Sequence, residues 1–442
     1  MCQTVILKGY WWLPSNPDDK VAGVMTYTPG ENIKLELIGE FSYGGGHRLS
    51  RMFDDKEEEL IYGIESGAKE ITLLNCRKRT SYNFSCPFPL TYYYAGLAVY
   101  DKHISGLDEV CDYTANIRYP ELSHWCFPGL IQTELSFEND ELTDTHIHIK
   151  RLSEDDEDIA QSVLKDGTEL KLKRGGEYNM GEHRLEPHIR QYTTLSLHNP
   201  SGLNIRQILN LSYRFEQLLS FATLRNVRRE SIYLKDPDIS QTFEDGSKYL
   251  FPIYIYQPRL KVDNQKKIDS GNFLFDYEDI KDDFPRFVSS WLAGDEDTNP
   301  IINHLVDSLT YKKTFGSVDF LVVIQAIEGF WWRFRDQAYR KRILTSDKKS
   351  THLKTIINEL LSEFSDVQVV GKLRNTLDVN AVVDSRHYYS HFMQLSSKPH
   401  TKEGKELYDL TKDLKKILIC CVMSLLGVGR LSLNGILSKA QM

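Results

Sequence analysis

The sequence predicts an α+β protein with more than one domain, in which a β-rich N-terminal region with one embedded helix precedes an all-α helical bundle. Up to about residue 200, β-branched and aromatic residues partly alternate with polar ones, and Gly, Pro, Asn and Asp interrupt them. From about residue 275, apolar residues recur at helical spacing instead. A chain of 442 residues is long enough for more than one domain. We expect a β-rich domain over 1–272 and a helical domain over 273–442.

Individual segments identify the strands and the embedded helix. Strand character is clearest in VAGVMTYTP, NIKLELIGEF, EITLLNC and YAGLAVY, with shorter pieces at 231–233 and 249–256. In contrast, NIRQILNLSYRFEQLLSFAT carries apolar residues from Ile205 to Ala222 at positions i, i+3 and i+4. That spacing predicts a helix with one buried face inside the β-rich region.

Long amphipathic segments predict a bundle of four or five antiparallel helices in the C-terminal region. Pro285 is expected in the first turn of the first helix or at a kink, and Gly427 and Gly429 are expected to end the last one. The predicted helices are DIKDDFPRFVSSWLA and residues 318–344, 352–364, 376–395 and 403–426.

Composition excludes several classes of protein. Hydrophobic residues make up 41% and charged residues 26%, which is ordinary for a soluble globular protein. The start of the chain lacks the pattern of a signal peptide, and the longest apolar run is too short to span a membrane. The seven cysteines form no Cys-x-x-Cys pair, which argues against a disulfide framework and a zinc ribbon. We therefore expect a cytoplasmic protein that does not associate with membranes.

The net charge of −8 hides an asymmetry along the chain. Residues 301–442 contain 21 Lys and Arg against 14 Asp and Glu, a net charge of +7. The first 300 residues contain 33 against 48, a net charge of −15. Only the C-terminal part therefore suits a polyanionic partner.

One short segment of the C-terminal part concentrates groups that bind or process phosphate. DSRHYYSHF, from Asp384 to Phe392, contains a permanent cation, two imidazoles and two phenols between Arg386 and His391. Arg386 can donate paired hydrogen bonds to phosphate oxygens. His391 is of the residue type that exchanges protons near neutral pH. Because such groups are costly in a packed core, we expect any chemistry of this chain to occur here.

Helical spacing leaves three interpretations of this segment open. Asp384, His387 and His391 lie near one helix face and resemble a metal-binding triad, although the Glu general base beside the first His of zinc enzymes is absent. Alternatively, Arg386 and His391 bind a phosphodiester while RNA is cleaved by its own 2′-hydroxyl, with histidine moving protons and arginine holding the developing charge. The third interpretation is a buried structural contact.

The angular positions of Arg386 and His391 favour a site shared by two chains. Five residues correspond to roughly 140° around an ideal helix, so one helix face cannot present both side chains squarely, although a long Arg can wrap part of the way. A second copy related by two-fold symmetry would supply the rest of the cleft. We therefore expect a homodimer through the helical domain.

Three other candidates have simpler interpretations. The loop from Tyr43 to Arg48 lacks the spacing and terminal Lys-Ser/Thr of a P-loop, so we expect a hairpin or a flexible loop. His146 and His148 would point to one side of a strand, but nothing nearby in the sequence completes a metal-ligand set. The acidic run from Ser153 to Asp158 is expected to be an exposed turn. None of them predicts a metal or a cofactor.

The segment and its context resemble a known family. R-H-Y-Y-S-H resembles the R-x-x-x-x-H signature of HEPN (higher eukaryotes and prokaryotes nucleotide-binding) ribonucleases. FLVVIQAIEGFWWRFR, from Phe320 to Arg335, resembles the first long helix of the ApeA-like HEPN subgroup. GYWWLPSNP and VAGVMTYTPGENIKLELIGEF resemble the N-terminal domain that accompanies this module, and RFEQLLSFAT and FPRFVSSWL follow in the expected order. The resemblance covers most of the chain.

The resemblance implies a bacterial anti-phage, abortive-infection protein, with a sensing or regulatory N-terminal region and a dimeric, metal-independent HEPN endoribonuclease that needs no cofactor. It implies that Arg386 and His391 are the catalytic pair. His387 stands where the subgroup usually has Asn, so it would be a helper whose effect on the pH profile departs from the family. Glu328 lies near a commonly acidic position and would orient Arg386. The substrate would be RNA, with tRNA included by analogy, and the trigger would be a phage protein.

Basic residues of the helical region would guide the RNA backbone. Two alternatives from other classes remain: a non-catalytic dimerisation module that binds a nucleotide or a phage protein, and a His-ligated metal hydrolase. The predicted RNA-binding residues are Arg333, Arg335, Arg340, Lys341, Arg342, Lys372, Arg374, Lys398 and Lys402.

Overall fold

The structure, a computed structural model, describes residues 4–42, 57–80, 90–138, 141–149, 157–179, 188–258, 268–310, 316–335 and 352–439. The strands in these ranges are β1 (Val5–Leu13), β2 (Asn16–Tyr27), β3 (Ile33–Ile38), β4 (Glu57–Glu65), β5 (Glu70–Thr80), β6 (Leu90–Tyr100), β7 (Thr114–Arg118), β8 (Ile131–Glu138), β9 (Glu141–Ile149), β10 (Asp158–Val163), β11 (Glu169–Asn179), β12 (His188–His198), β13 (Ser231–Thr242) and β14 (Lys248–Tyr256). The helices are α1 (Leu122–Trp125), α2 (Ile205–Thr223), α3 (Tyr277–Ile280), α4 (Phe284–Ala293), α5 (Asn299–Thr310), α6 (Ser317–Phe334), α7 (Leu353–Glu363), α8 (Gln368–Thr376), α9 (Val379–His391), α10 (Gly404–Leu425) and α11 (Arg430–Lys439).

The predicted fold class is confirmed. A β-rich N-terminal region containing the embedded helix α2 is followed by a helical C-terminal region. Eight of the described helices, α4 to α11, follow residue 283, so the prediction of four or five helices was too low. The helices α5, α8 and α11 were not predicted. Helices α8 and α11 are short, with nine and ten residues. In α5, the apolar residues Ile301, Ile302, Leu305 and Val306 do follow a helical repeat, which was an overlooked signal.

Six strands of the first compact unit form a closed antiparallel barrel. This unit comprises residues 1–119, 194–212 and 228–267. The strand order is β6-β3-β2-β1-β4-β5, and the pairing of β5 with β6 closes the ring. Buried and exposed side chains alternate along the strands, as the period of two requires. Fully buried inward residues include Trp11, Met25, Leu35, Ile61 and Leu73.

Further strands extend the sheet of the first unit from β6. They follow in the order β14, β13, β7 and the second half of β12. The predicted strand at 231–233 is the start of the longer β13, whose pairing with β14 shifts register between Lys235 and Ser240. Pro237 lies inside this irregularity, where a strand can accept a residue without an N–H donor.

The second compact unit joins the helical region to two earlier stretches of the chain. It comprises residues 120–193, 213–227 and 268–442. Its strands β10, β11 and the first half of β12 are neighbours in one sheet, and β10 packs against α4, where Ser162 Oγ donates a hydrogen bond to the Pro285 carbonyl (2.8 Å). The hairpin β8–β9 forms a separate two-stranded sheet. The domain boundary between residues 272 and 273 stays a prediction.

Helix α6 occupies the centre of the bundle. It packs against α5, α7, α9 and α10, with Phe320, Val323, Ile324 and Ile327 buried as predicted. The prediction continued this helix to residue 344, whereas α6 ends at Phe334, and residues 336–351 lie outside the described ranges. Gly427 follows the last turn of α10 with a φ of 91°, a conformation that glycine adopts without a steric cost.

Candidate active site

Helix α9 carries the phosphate-competent segment at its C-terminal end. At its start, the Asp378 carboxylate accepts hydrogen bonds from the N–H groups of Asn380 (3.0 Å) and Ala381 (3.1 Å), two of the amides that lack a partner within the helix. Ala381 and Val382 are buried, and α9 packs against α6 and α7. The cap and this buried face together hold the residues from 386 to 391 beside α6.

Arg386 and His391 meet within one chain. Arg386 Nη1 lies 2.7 Å from His391 Nε2. Because guanidinium only donates, His391 Nε2 accepts this hydrogen bond, and a neutral imidazole then carries its proton on Nδ1. The expectation that one helix presents the pair poorly is therefore corrected: the long Arg386 side chain spans the angle to His391, which is the last residue of α9. Neither side chain needs a second copy for this contact.

Glu328 of α6 lies against Arg386, next to which the family resemblance places an acidic residue. Glu328 Oε1 is 3.7 Å from Arg386 Nη2, and the glutamate is only 8% exposed. Burial raises the pKa of Glu328, and the positive charge of Arg386 offsets part of that rise. The carboxylate thus gives Arg386 a fixed partner on one side, while His391 occupies the other.

His387 lies next to the pair but does not complete a metal triad. Its ring centroid is 5.9 Å from that of His391, and its buried Nδ1 has no hydrogen-bond partner among the described residues. Burial lowers the pKa of His387, and the nearby charges of Lys398 and Arg386 lower it further. Among the described residues, no group of three or more His, Cys, Asp and Glu is arranged to hold a metal ion. The geometry gives the metal-triad alternative no support.

The chain after α9 folds back along this helix. The Asp384 carboxylate lies 3.6 Å from Lys398 Nζ and accepts a hydrogen bond from the His400 N–H (3.2 Å). Ser385 Oγ accepts one from the Lys402 N–H (2.9 Å), and the Tyr389 hydroxyl donates one to the Lys402 carbonyl (3.0 Å). The contacts of Ser385 and Tyr389 with the returning chain were not predicted, although two polar residues four apart on one helix face were a usable signal.

The predicted RNA-binding residues differ in how free their charges are. Lys372 and Arg374 are exposed on α8. Arg335 donates two hydrogen bonds to the Glu363 carboxylate (3.0 and 2.6 Å), which neutralises its charge. Three further residues have internal contacts, and three lie outside the described ranges. These contacts join Arg333 to the Asp297 carbonyl (2.6 Å), Lys398 to Asp384, and Lys402 to Glu406 (3.5 Å), and the residues outside are Arg340, Lys341 and Arg342.

Of the secondary candidates, the structure describes the histidine pair of β9 and the end of the acidic run. His146 and His148 share one face of β9, as predicted, where His146 Nε2 lies 3.0 Å from the Asp144 carboxylate and His148 Nε2 lies 3.4 Å from that of Glu134. Every residue of β9 is exposed, which matches a surface strand. The Gly-rich loop from Tyr43 to Arg48 and most of the acidic run, Ser153 to Asp156, lie outside the described residues.

Comparisons with known proteins identify the two parts of the chain. Residues 7–291 match the family model of ApeA N-terminal domain 1, and residues 321–430 match that of Apea-like HEPN, a range that contains Glu328, Arg386 and His391. Neither curated proteins nor solved structures gave a significant match. In the described parts of the chain, no helix has the length and apolar character needed to cross a bilayer.

The family matches set the broad function. An ApeA-like HEPN region indicates anti-phage defence with a nuclease-type module, and HEPN domains act on RNA and often dimerise. The first match alone takes in more than half of the 442 residues, and the second covers the helices that carry the candidate site. The chain therefore belongs to the ApeA-like family of HEPN proteins.

Proposed function

We propose that this chain is an endoribonuclease of abortive infection that cleaves RNA without a metal ion, with Arg386 and His391 as its catalytic residues. The observation that carries the proposal is the 2.7 Å contact between Arg386 Nη1 and His391 Nε2 at the end of α9. Buried Glu328 supports it by holding the other side of the guanidinium. A permanent cation and a proton-accepting imidazole at one point supply what phosphodiester cleavage requires.

The proposed step uses the 2′-hydroxyl of the RNA as the nucleophile. His391 takes the proton of this hydroxyl while the 2′ oxygen bonds to phosphorus. The bond between phosphorus and the 5′ oxygen breaks, and the resulting imidazolium returns a proton to that oxygen. Arg386 turns its donors from His391 to the phosphate oxygens, where negative charge develops. The products are a 2′,3′-cyclic phosphate and a 5′-hydroxyl end.

His387 suits a supporting role in this step. Its lowered pKa keeps the imidazole neutral at neutral pH, so it adds no positive charge that would compete with Arg386 for the phosphate. A neutral imidazole can still hydrogen-bond to the RNA or to water. This is the place where the subgroup usually has Asn, which is also neutral and polar, and we propose that His387 is a helper.

The exposed cations of α8 are the best placed to guide the RNA backbone. Lys372 and Arg374 have exposed side chains, whereas Arg333 and Arg335 are held by Asp297 and Glu363. Phosphate binding by free Lys and Arg releases counterions and is independent of sequence. We propose a homodimer through the helical region, tRNA as one candidate substrate class, and a phage protein as the trigger sensed by the N-terminal region.

Two substitutions test the proposal. Arg386→Ala and His391→Ala should each abolish RNA cleavage, and hence toxicity during infection, while thermal unfolding stays close to that of the wild type. Wild type and variants are expressed inducibly in bacteria with and without phage, and the 5′ ends of cellular RNA are sequenced. His400→Ala is the matched control, because only the backbone of His400 contacts α9. RNA cutting by both variants at the wild-type rate would refute the assignment.

The same experiment separates the alternatives. A non-catalytic binding module predicts that His391→Ala remains toxic and that wild-type RNA stays intact. A metal hydrolase predicts bound metal and loss of cleavage with a chelator, whereas the proposed mechanism predicts full cleavage by purified protein in EDTA. The chemistry of the ends gives a further check, since attack by the 2′-hydroxyl leaves a cyclic phosphate and hydrolysis by water does not.

A further inference from the structure

The residue after His391 is an exposed aromatic in a strained backbone conformation. Phe392 ends α9 with a φ of 51° and a ψ of 39°, in the left-handed region that Gly or Asn ordinarily occupies at the end of a helix. Its side chain is 90% exposed, so packing does not compensate for this conformation. Uncompensated strain in a bulky residue is typical of functional positions.

Phe392 lies between the Arg386–His391 pair and a short exposed stretch that contains Met393 and Leu395. His391 precedes it, Arg386 contacts His391, and Lys398 lies in the segment that folds back along α9. The cores of protein interfaces are depleted in charged residues, whereas surfaces that bind single-stranded nucleic acid combine cations with exposed aromatic rings. The exposed ring beside the permanent cation Arg386 therefore suits nucleic acid, and a protein contact through this stretch is tested separately.

We propose that Phe392 stacks on a nucleobase next to the phosphate that Arg386 and His391 handle, and that it thereby helps to select the cut site. This inference rests on the proposed function. Phe392 directly follows His391, and neighbouring Cα atoms are about 3.8 Å apart, so a phosphate held at His391 lies beside Phe392. A base beside the phosphate at His391 is therefore within reach of the ring. Because stacking needs only a π-face, the preference among bases is modest and follows stacking strength.

Three substitutions at one position test the stacking. All are made in a His391→Ala background, so that RNA binds without being cut, and the affinity for a fluorescein-labelled single-stranded RNA of about 20 nucleotides and mixed sequence is measured by fluorescence anisotropy. Phe392→Gly and Phe392→Leu should each weaken binding by roughly 5- to 100-fold, whereas Phe392→Trp should bind as tightly as the parent. Leu431→Ala is the control, since Leu431 is 88% exposed on another helix of the same unit.

A stability measurement separates stacking from a structural role. Phe392→Gly removes the backbone strain and should raise the midpoint of thermal unfolding while it weakens RNA binding. A structural role predicts a lower midpoint instead, which would overturn the inference. Equal RNA affinity of the parent and all Phe392 variants would also overturn it. If neither the wild type nor the His391→Ala parent binds RNA, both this inference and the proposed function are refuted.

A measurement of the oligomeric state tests whether a second copy of the chain, instead of RNA, contacts Phe392. Light scattering on wild type, Phe392→Gly and Phe392→Leu should give the same mass. The proposal would be overturned if Phe392→Gly converted a wild-type dimer to a monomer while Phe392→Leu stayed dimeric and bound RNA normally. That result would assign the ring to a protein contact. Leu keeps the apolar surface of Phe but lacks its π-face.

Discussion

At the scale of single residues, a buried glutamate lies against Arg386, the proposed catalytic cation. Glu328 is 8% exposed, and its pKa is raised, first of all by burial, above the ordinary value of 4.5. The folded protein therefore keeps this proton at pH values where the unfolded chain has lost it. The stability from this group is complete below pH 4.5 and is lost as the pH rises through the raised pKa. Ionisation of the buried Glu328 above that raised pKa thus costs stability, although the glutamate positions Arg386.

Glu328→Gln should separate these two effects. Removing the buried charge should leave the free energy of unfolding at pH 7 unchanged or raise it by up to about 1 kcal/mol. Cleavage should fall by roughly tenfold or more, because a displaced guanidinium no longer meets the phosphate. Thermal unfolding and cleavage rates measure the two effects, with Glu359→Gln on the exposed face of α7 as control. Wild-type cleavage by Glu328→Gln would contradict the positioning role.

At the scale of the element, α9 depends on its N-terminal cap. Asp378 satisfies two amides of the first turn, and the buried Ala381 and Val382 follow directly. The C-terminal end has no comparable cap: it ends at Phe392 in the left-handed conformation, and contacts of Ser385 and Tyr389 with the returning chain hold it. The start of α9 therefore sets the orientation of the helix that carries both proposed catalytic residues.

Asp378→Ala should destabilise α9 locally. The loss of both capping hydrogen bonds should cost about 1 kcal/mol, and hydrogen exchange of the first-turn amides of α9 should accelerate accordingly. Asp378→Asn retains the accepting oxygen and should behave almost like the wild type. Unchanged exchange in Asp378→Ala would show that packing alone holds the helix start.

At the scale of the whole molecule, the charge asymmetry restricts where RNA can bind. The first 300 residues carry a net charge of −15 and the rest +7, so the phosphate backbone is attracted to the C-terminal part alone. Within that part, ion pairs such as Arg335 with Glu363 and Lys415 with Asp319 neutralise several of the positive charges. The side chains of Lys372 and Arg374 are exposed, so their positive charges can interact with solvent or with a ligand.

The dependence of RNA affinity on salt should reveal which cations act. Lys372→Gln and Arg374→Gln, in a His391→Ala background, should each lower the slope of log affinity against log salt by about 0.7, the value for one phosphate contact on a single strand. Arg335→Gln should lower it by less, because Glu363 already neutralises Arg335. Lys8→Gln in the acidic N-terminal part serves as control, and a slope change there equal to that of Lys372→Gln would contradict this placement.

Much of the fold follows from local patterns, and the exceptions have physical causes. Alternation predicted β2, β3, β5 and β6, and helical spacing predicted α2, α4, α6, α7, α9 and α10. Strand β13 was predicted too short because Pro237 interrupts its pattern at a register shift. The closure of the barrel by β5 and β6 depends on the curvature of all six strands.

The sequence by itself determined the fold class, the family and the segment that carries the candidate chemistry. Residue types and spacings over a few positions suffice for the fold class and the segment, since helical and strand periods are local properties. The family follows instead from a resemblance that covers most of the chain. Only the tertiary structure decided that Arg386 reaches His391 within one chain, that Glu328 on a separate helix faces them, and that the chain after α9 folds back on it. Such contacts depend on the length and rotamers of side chains and on the packing of α6 against α9, which no local pattern encodes.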